Sequence, residues 1–160
     1  MELKKIIDQI GWIHLTSAPP EQQLEWLKQI KFLGLANVPI SCDTFDTFAR
    51  EKADLVRKVM NNCNLSFVNK NEYEAINGKN LNTEMILKLG GEGAEYHVGN
   101  QSVIKVKTNK TLVKDTTGAG DVVAGVFLAL LFKGVDKENN TDIHWLDDRG
   151  EKENILLLVI

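Results

Sequence analysis

Only two cysteines occur in the 160 residues, Cys42 and Cys63, and they form no Cys-x-x-Cys pair. That excludes a disulfide scaffold and a thiolate metal knuckle, and suits two small buried hydrophobes. The three histidines, His14, His97 and His144, show neither metal-ligand spacing nor a nucleophile partner, which fits structural roles. No apolar run approaches the roughly 20 residues of a membrane span. The first ten residues are too charged for a signal-peptide core, so a cytoplasmic protein is expected. Lys and Arg are interspersed with Asp and Glu, and the net charge is -3, so neither nucleic acid nor an anionic membrane has an electrostatic claim. Trp12, Trp26 and Trp145 lack the basic interleaving that base-stacking platforms carry. No repeat or low-complexity linker marks a boundary, and 43% hydrophobic content supplies a core, so residues 1–160 are expected to form a single domain.

What is present is an alternation of short apolar runs with helical spacing. Gly11 to Thr16 reads as a strand, broken by Ser17-Ala-Pro-Pro. Pro20 suits a first helical position, and Leu24, Leu27, Ile30 and Leu33 recur at helical spacing up to Gly34. Val38 to Cys42 is β-favouring and ends at Asp43, and Phe48 to Met60 returns to helix spacing. Leu65 to Val68 is another strand, followed by polar Asn69-Lys-Asn-Glu and a short helix to Ile76. Met85 to Leu89, Ala94 to Val98 and Ser102 to Val106 read as strands, with Gly90-Gly-Glu-Gly as a turn, and Ala119 to Phe132 as a long apolar helix. Strands separated by helices imply βαβ crossovers and a parallel sheet covered on both faces, with ligands at the carboxyl ends of its strands. Asp43, Asn71, Gly90 and Asp121 all lie just past a strand or in the following turn.

The richest stretch is Asp115-Thr-Thr-Gly-Ala-Gly-Asp121, which runs on through Val122-Val-Ala-Gly-Val-Phe127. A helix starting near Gly118 would turn its free N–H groups and positive dipole end toward an anion. Asp121, one turn in, could take a proton from a hydroxyl held beside that anion. A Walker A loop does not fit, because Asp121 and Val122 follow Gly120 where Lys and Ser or Thr belong. The dinucleotide fingerprint fails at Val123. An ordinary helix start, capped by Thr117 and with Asp121 favourable to the dipole, is the bland alternative.

This run resembles the signature of the ribokinase-like (PfkB) carbohydrate kinases, ATP-dependent enzymes that phosphorylate sugars, nucleosides and related alcohols. The resemblance implies an α/β, three-layer sandwich with a mostly parallel sheet. It also implies that Asp121 is the catalytic base and that Gly118, Ala119 and Gly120 form an anion hole for the transferring phosphoryl group, with Thr116 and Thr117 beside the nucleotide. Asn71-Glu-Tyr-Glu74 resembles the family's Asn-x-x-Glu motif, which places Asn71 near the phosphates and Glu74 near Mg²⁺. Alone, that pattern is also what an acidic first helical turn looks like. Leu89-Gly-Gly-Glu-Gly-Ala94 is similar to the family's Leu-Gly-x-x-Gly-Ala turn, which sets Gly90 and Gly93 along the nucleotide cleft. Lys88, implied as a further nucleotide contact, stands where the family commonly has Thr. Asp43 stands where relatives often carry an aspartate near the active centre, yet Asp43-Thr-Phe-Asp lacks the Asn and Arg that follow it there, which leaves site and turn residue both open.

The resemblance runs from about Ile10 to Gly134 and corresponds to the C-terminal half of a typical member, a truncated core with an atypical tail over 135–160. Asn77 to Glu84 is too short for a full crossover helix, and the terminal Ile-Leu-Leu-Leu-Val-Ile is strand-like, an aggregation risk if left unpaired. The expected activity is transfer of the ATP γ-phosphate, with Mg²⁺, to an alcohol of a small sugar or nucleoside. The alternative is a catalytically silent nucleotide-binding or truncated remnant of such a kinase. An exposed sheet edge makes a homo-oligomer or a complementary chain the expected partner.

Overall fold

The structure, a computed structural model, describes residues 7, 9–107, 118–133 and 156–159. Thr116, Thr117 and most of the 135–160 tail therefore lie outside the described residues. Seven strands form one sheet: β1 (Ile10–Leu15), β2 (Ile40–Asp43), β3 (Leu65–Asn69), β4 (Glu84–Lys88), β5 (Ala94–Val98), β6 (Gln101–Val106) and β7 (Leu156–Val159). Their order is β6-β5-β4-β3-β2-β1-β7. β7, β1, β2, β3 and β4 run parallel, and β5 and β6 extend the sheet antiparallel. The strand-like C-terminal run is thus paired along β1, with Ile10 opposite Leu156.

Burial explains which strands occupy the centre. β2 is buried at all four positions, and β1, β3 and β4 are buried over most of their length, so they read as apolar runs. β6 is largely exposed, as befits an outer strand. Alternation along each central strand feeds two cores. Ile13, Leu15, Val68, Met85 and Leu87 point to one face, and Trp12, Leu65, Phe67 and Ile86 to the other.

Four helices cover the first face: α1 (Pro20–Phe32), α2 (Asp46–Glu51), α3 (Ala53–Met60) and α4 (Lys70–Ala75). Leu27, Ile30, Ala49, Val56, Val59 and Met60 are buried there. The second face carries α5 (Ala119–Lys133), whose Ala124 and Leu128 pack on Trp12 and Phe67. Helical spacing across Phe48 to Met60 suggests one helix; the chain instead breaks at Lys52, with φ -135° and ψ 37°. The break turns Ala49 and the Val56–Met60 stripe onto the same core, and the Lys52 ammonium binds Glu21 of α1 at 2.8 Å. β3 passes to β4 through α4 and a single 3₁₀ turn at Gly78–Asn80, a shorter crossover than a full helix.

The β4–β5 connection depends on Gly93. Its φ is +110°, and a Cβ there would lie 1.8 Å from the Val106 carbonyl oxygen of β6. Gly99 also has positive φ, +58°, but faces open space. Gly93→Ala should therefore cost at least about 2 kcal/mol, against about 1 kcal/mol for Gly99→Ala. Urea unfolding midpoints of the two variants check this, and equal losses would contradict the close approach of β6.

Candidate active site

Parallel pairing sets the ends of β2, β3 and β4 side by side, so Asp43, Asn69 and Lys88 share one edge of the sheet, Asn69 directly opposite Lys88. Gln23 of α1 ties the end of β2 to that of β1, because its buried amide donates to the carbonyls of Thr16 and Asp43, each at 2.9 Å. The Lys88 ammonium reaches across β3 and donates to both oxygens of the Asp43 carboxylate, at 3.2 and 3.0 Å. Both side chains are largely buried, at 14% and 3% exposure. Asp43 Oδ1 also accepts the Thr44 N–H at 2.8 Å. Burial pushes the Asp43 carboxyl up, Lys88 pulls it back, and the charge of Asp121 pushes it up again. Asp43 thus ends β2 in an ion pair with Lys88, and Thr44 and Phe45 lead directly into α2.

The Asn-x-x-Glu spacing occurs twice in overlap, and the two pairs sit differently. Asn71 and Glu74 are exposed on α4, with Glu74 within electrostatic reach of Arg50. Asn69 and Glu72, two residues earlier, form a reciprocal cap: the Asn69 side-chain Oδ1 accepts from the Glu72 N–H at 2.9 Å, and Glu72 Oε2 accepts from the Asn69 N–H at 2.7 Å. Glu72 is 4% exposed. Burial drives its carboxyl up to about 7, against the pull of the Asn69 N–H and of Lys88, with Asp43 and Asp46 pushing the same way as burial. The readable signal for this pair is the Asn directly after the strand with Glu three residues on, a helix-start signature.

α5 enters from the other face. Gly118 has φ +74°, a left-handed turn that suits glycine, and its carbonyl accepts the Val122 N–H at 3.0 Å. The N–H groups just before Val122 have no place in the helical ladder and face outward from its positive end. A Cβ on Gly120 would lie 3.1 Å from Lys88 Nζ, so the lysine's ammonium rests against the first turn of α5. Asp121 is solvent-exposed and shares a helix face with buried Ala124 and Leu128. Its charge acts on both Asp43 and His14.

His14 is buried on β1 below this turn, edge-on to Phe67 at 5.7 Å. Trp12 Nε1 donates to Ser41 Oγ at 2.9 Å, and Ser41 Oγ lies 2.8 Å from His14 Nδ1. An indole only donates, so Ser41 Oγ accepts from Trp12, and the direction of its bond with His14 Nδ1 is set by the imidazole tautomer. Burial, opposed by Asp121 and aided by Lys88, lowers the imidazole to about 4. Gly90, φ +59°, begins the 3₁₀ turn after β4, and this turn borders a cavity of about 180 Å³ reached by Glu92, Lys105 and Lys107. Among the described residues, no three His, Cys, Asp or Glu side chains form a metal-holding cluster, and no helix is long and apolar enough to cross a membrane.

A family profile described as pfkB family carbohydrate kinase matches residues 2–140. The chain belongs to this family. It is 30% identical over 137 residues to an uncharacterized sugar kinase of Archaeoglobus fulgidus, covering 79% of this chain and 54% of that protein. It is 42% identical over 59 residues to the 2-dehydro-3-deoxygluconokinase of Thermoproteus tenax, covering 37% of this chain and 18% of that protein. Among solved structures, the nucleoside kinase of Methanocaldococcus jannaschii, a ribokinase-family member, superposes with a TM-score of 0.63 at 22% identity, over 79% of this chain and 44% of that one. The adenosine kinase of Schistosoma mansoni with adenosine bound gives 0.66 at 16% identity, over 84% and 48%. The fold is thus the α/β ribokinase-like one, and the chain spans about half the length, or less, of these relatives.

Two of the shifted buried groups of this pfkB-family chain, His14 and Glu72, pull stability in opposite directions with pH. Neutral His14 contributes fully above its ordinary 6.5, and that contribution is lost as pH falls toward 4. Protonated Glu72 contributes fully below its ordinary 4.5, and that contribution is lost as pH rises through 7. Between those limits the slopes offset, each worth a few kcal/mol at most. Glu72→Gln, which keeps the reciprocal cap, should leave a chain that loses stability on acidification. His14→Asn should leave one that loses stability toward pH 7. Urea midpoints across that range check both, and parallel profiles for the two variants would contradict the assignment.

Proposed function

We propose that this chain performs the phosphoryl-transfer step of a sugar or nucleoside kinase, moving the γ-phosphate of ATP to an alcohol. The observation that carries this reading is the meeting of the Lys88 ammonium with the start of α5, one residue before Asp121. An anion placed there meets backbone N–H donors, a helix dipole and a cation together, as a phosphate group requires.

In this reading, the N–H groups of Gly118, Ala119 and Gly120 hold the charge that develops on the transferring phosphoryl group. Asp121, exposed to the approach of an acceptor, accepts the proton of the attacking hydroxyl. Gly90 and Gly93 keep the turn after β4 close to the nucleotide, and Thr116 and Thr117 precede the anion hole. Mg²⁺ prefers oxygen donors and keeps much of its water, and Glu72, once deprotonated, fits that chemistry, whereas both Asp43 oxygens are engaged by Lys88. Exposed Glu74 and Asn71 on α4 remain the alternative approach through water. When bound, the ion would neutralise phosphate charge. A second reading is nucleotide binding without transfer, served by the same first turn of α5 and Lys88 with no call on Asp121.

A thermal melt with and without Mg·ATP, paired with turnover on a panel of sugars and nucleosides, tests both readings. At a hundredfold excess over Kd the native chain should gain about 2.7 kcal/mol. Asp121→Asn should keep that gain and lose on the order of 10²–10⁴ in rate. A gain without turnover selects the second reading, and no gain removes both. Unchanged turnover in Asp121→Asn removes Asp121 as the base.

A further inference from the structure

We infer that Ser41 and His14 are positioning residues for Asp121: the buried chain Trp12–Ser41–His14 fixes how α5 is rotated on the sheet, and so where that carboxylate stands. The inference rests on the transfer reading above and adds to it two side chains buried behind the site. Ser41 is 0% exposed and His14 6%, and the core around them is apolar, built from Leu65, Phe67, Ala124 and Leu128. Ser41 Oγ accepts from Trp12 Nε1 at 2.9 Å and lies 2.8 Å from His14 Nδ1, on the neighbouring strand directly opposite.

Hydrophobicity alone does not choose which side of α5 meets the sheet. Ala124 and Leu128 are buried there, yet Val122, Val123, Val126 and Leu130 are exposed and equally apolar. An amphipathic stripe normally sets a helix's rotation, and this helix lacks one. The rings beneath it supply the missing constraint. Ala124 and Leu128 pack on Trp12, whose indole Ser41 holds, and on Phe67. Phe67 meets His14 edge-on at 5.7 Å and Phe127 of α5 at 5.8 Å. One hydroxyl therefore orients both the indole and the imidazole under the helix. Asp121 shares the helix face of Ala124 and Leu128, one turn nearer Lys88 at the end of β4. His14 shares the strand face of Trp12, one step nearer the end of β1. His14 is thus the β1 residue beneath Asp121, and the carboxylate's charge is felt at its imidazole. A buried polar network adds little net stability over an apolar core of the same shape, so its effect here is to select one seating of α5.

The test is a double-mutant cycle on turnover, with Ser41→Ala and His14→Phe each made in the native chain and in Asp121→Asn. In the native background each should lower kcat by roughly 10- to 100-fold, the scale of a misplaced catalytic group. KM for Mg·ATP should stay within about twofold, because the nucleotide contacts are untouched. In Asp121→Asn the same substitutions should lower kcat by less than about twofold, since they act through a group already removed. Equal losses in both backgrounds, or a raised KM with kcat unchanged, make the network structural and overturn the inference. His14→Phe keeps a ring against Phe67 and decides alone where Ser41→Ala fails to fold. A native chain without turnover removes the transfer reading, and the ring-nitrogen resonances of His14 at neutral pH then decide the inference separately. They should report one tautomer in the native chain, a mixture in Ser41→Ala and a displaced signal in Asp121→Asn. A His14 spectrum indifferent to Asp121→Asn overturns the inference.

Discussion

The ion pair between Lys88 and Asp43 joins the parts on which the site depends. It spans from β4 across β3 to β2, and the same ammonium touches the first turn of α5 from the opposite layer. A buried pair of this kind offsets the cost of desolvating both charges only when its geometry is good and further hydrogen bonds complete it. Here the Thr44 N–H and the bond from Gln23 to the Asp43 carbonyl supply that support. Removing either charge would leave the other buried without compensation.

The sheet makes this geometry possible. Side chains alternate between two cores, so each central strand is anchored on both faces and its end cannot drift. Asn69 and Lys88 therefore end level, Asp43 stops opposite Phe67 two residues short of them, and Gln23 fixes the ends of β1 and β2 from α1. On the other face, Phe67 packs edge-on against both His14 and Phe127, which couples the strand carrying His14 to the helix carrying Asp121. Lys88 is thereby within electrostatic reach of His14, Asp43 and Glu72, and Asp121 within reach of His14 and Asp43.

Much of the fold was legible from pattern alone. Strands came from short apolar runs, helices from spacing such as Leu24, Leu27 and Ile30, and the family from the ordered run ending at Asp121. The misread parts share a cause: local pattern carries no information about what lies across the sheet. Phe48 to Met60 has unbroken helical spacing and no Gly or Pro, but packing onto one core requires the bend at Lys52. Asn71-Glu-Tyr-Glu74 and Asn69-Lys-Asn-Glu72 have the same spacing, and only burial separates the exposed pair from the one facing Lys88.

The sequence by itself determined the order of elements, the two-sided burial of the central strands and family membership, because these rest on periodicity and on one contiguous motif. Tertiary structure alone decided the partners of Lys88, since Asp43 and Gly120 lie 45 and 32 residues away along the chain and meet it only through sheet order and the seating of α5. It also decided the protonation of Glu72 and His14. Burial disfavours the charged form of each, which raises the acid and lowers the base, and burial exists only once the layers have packed.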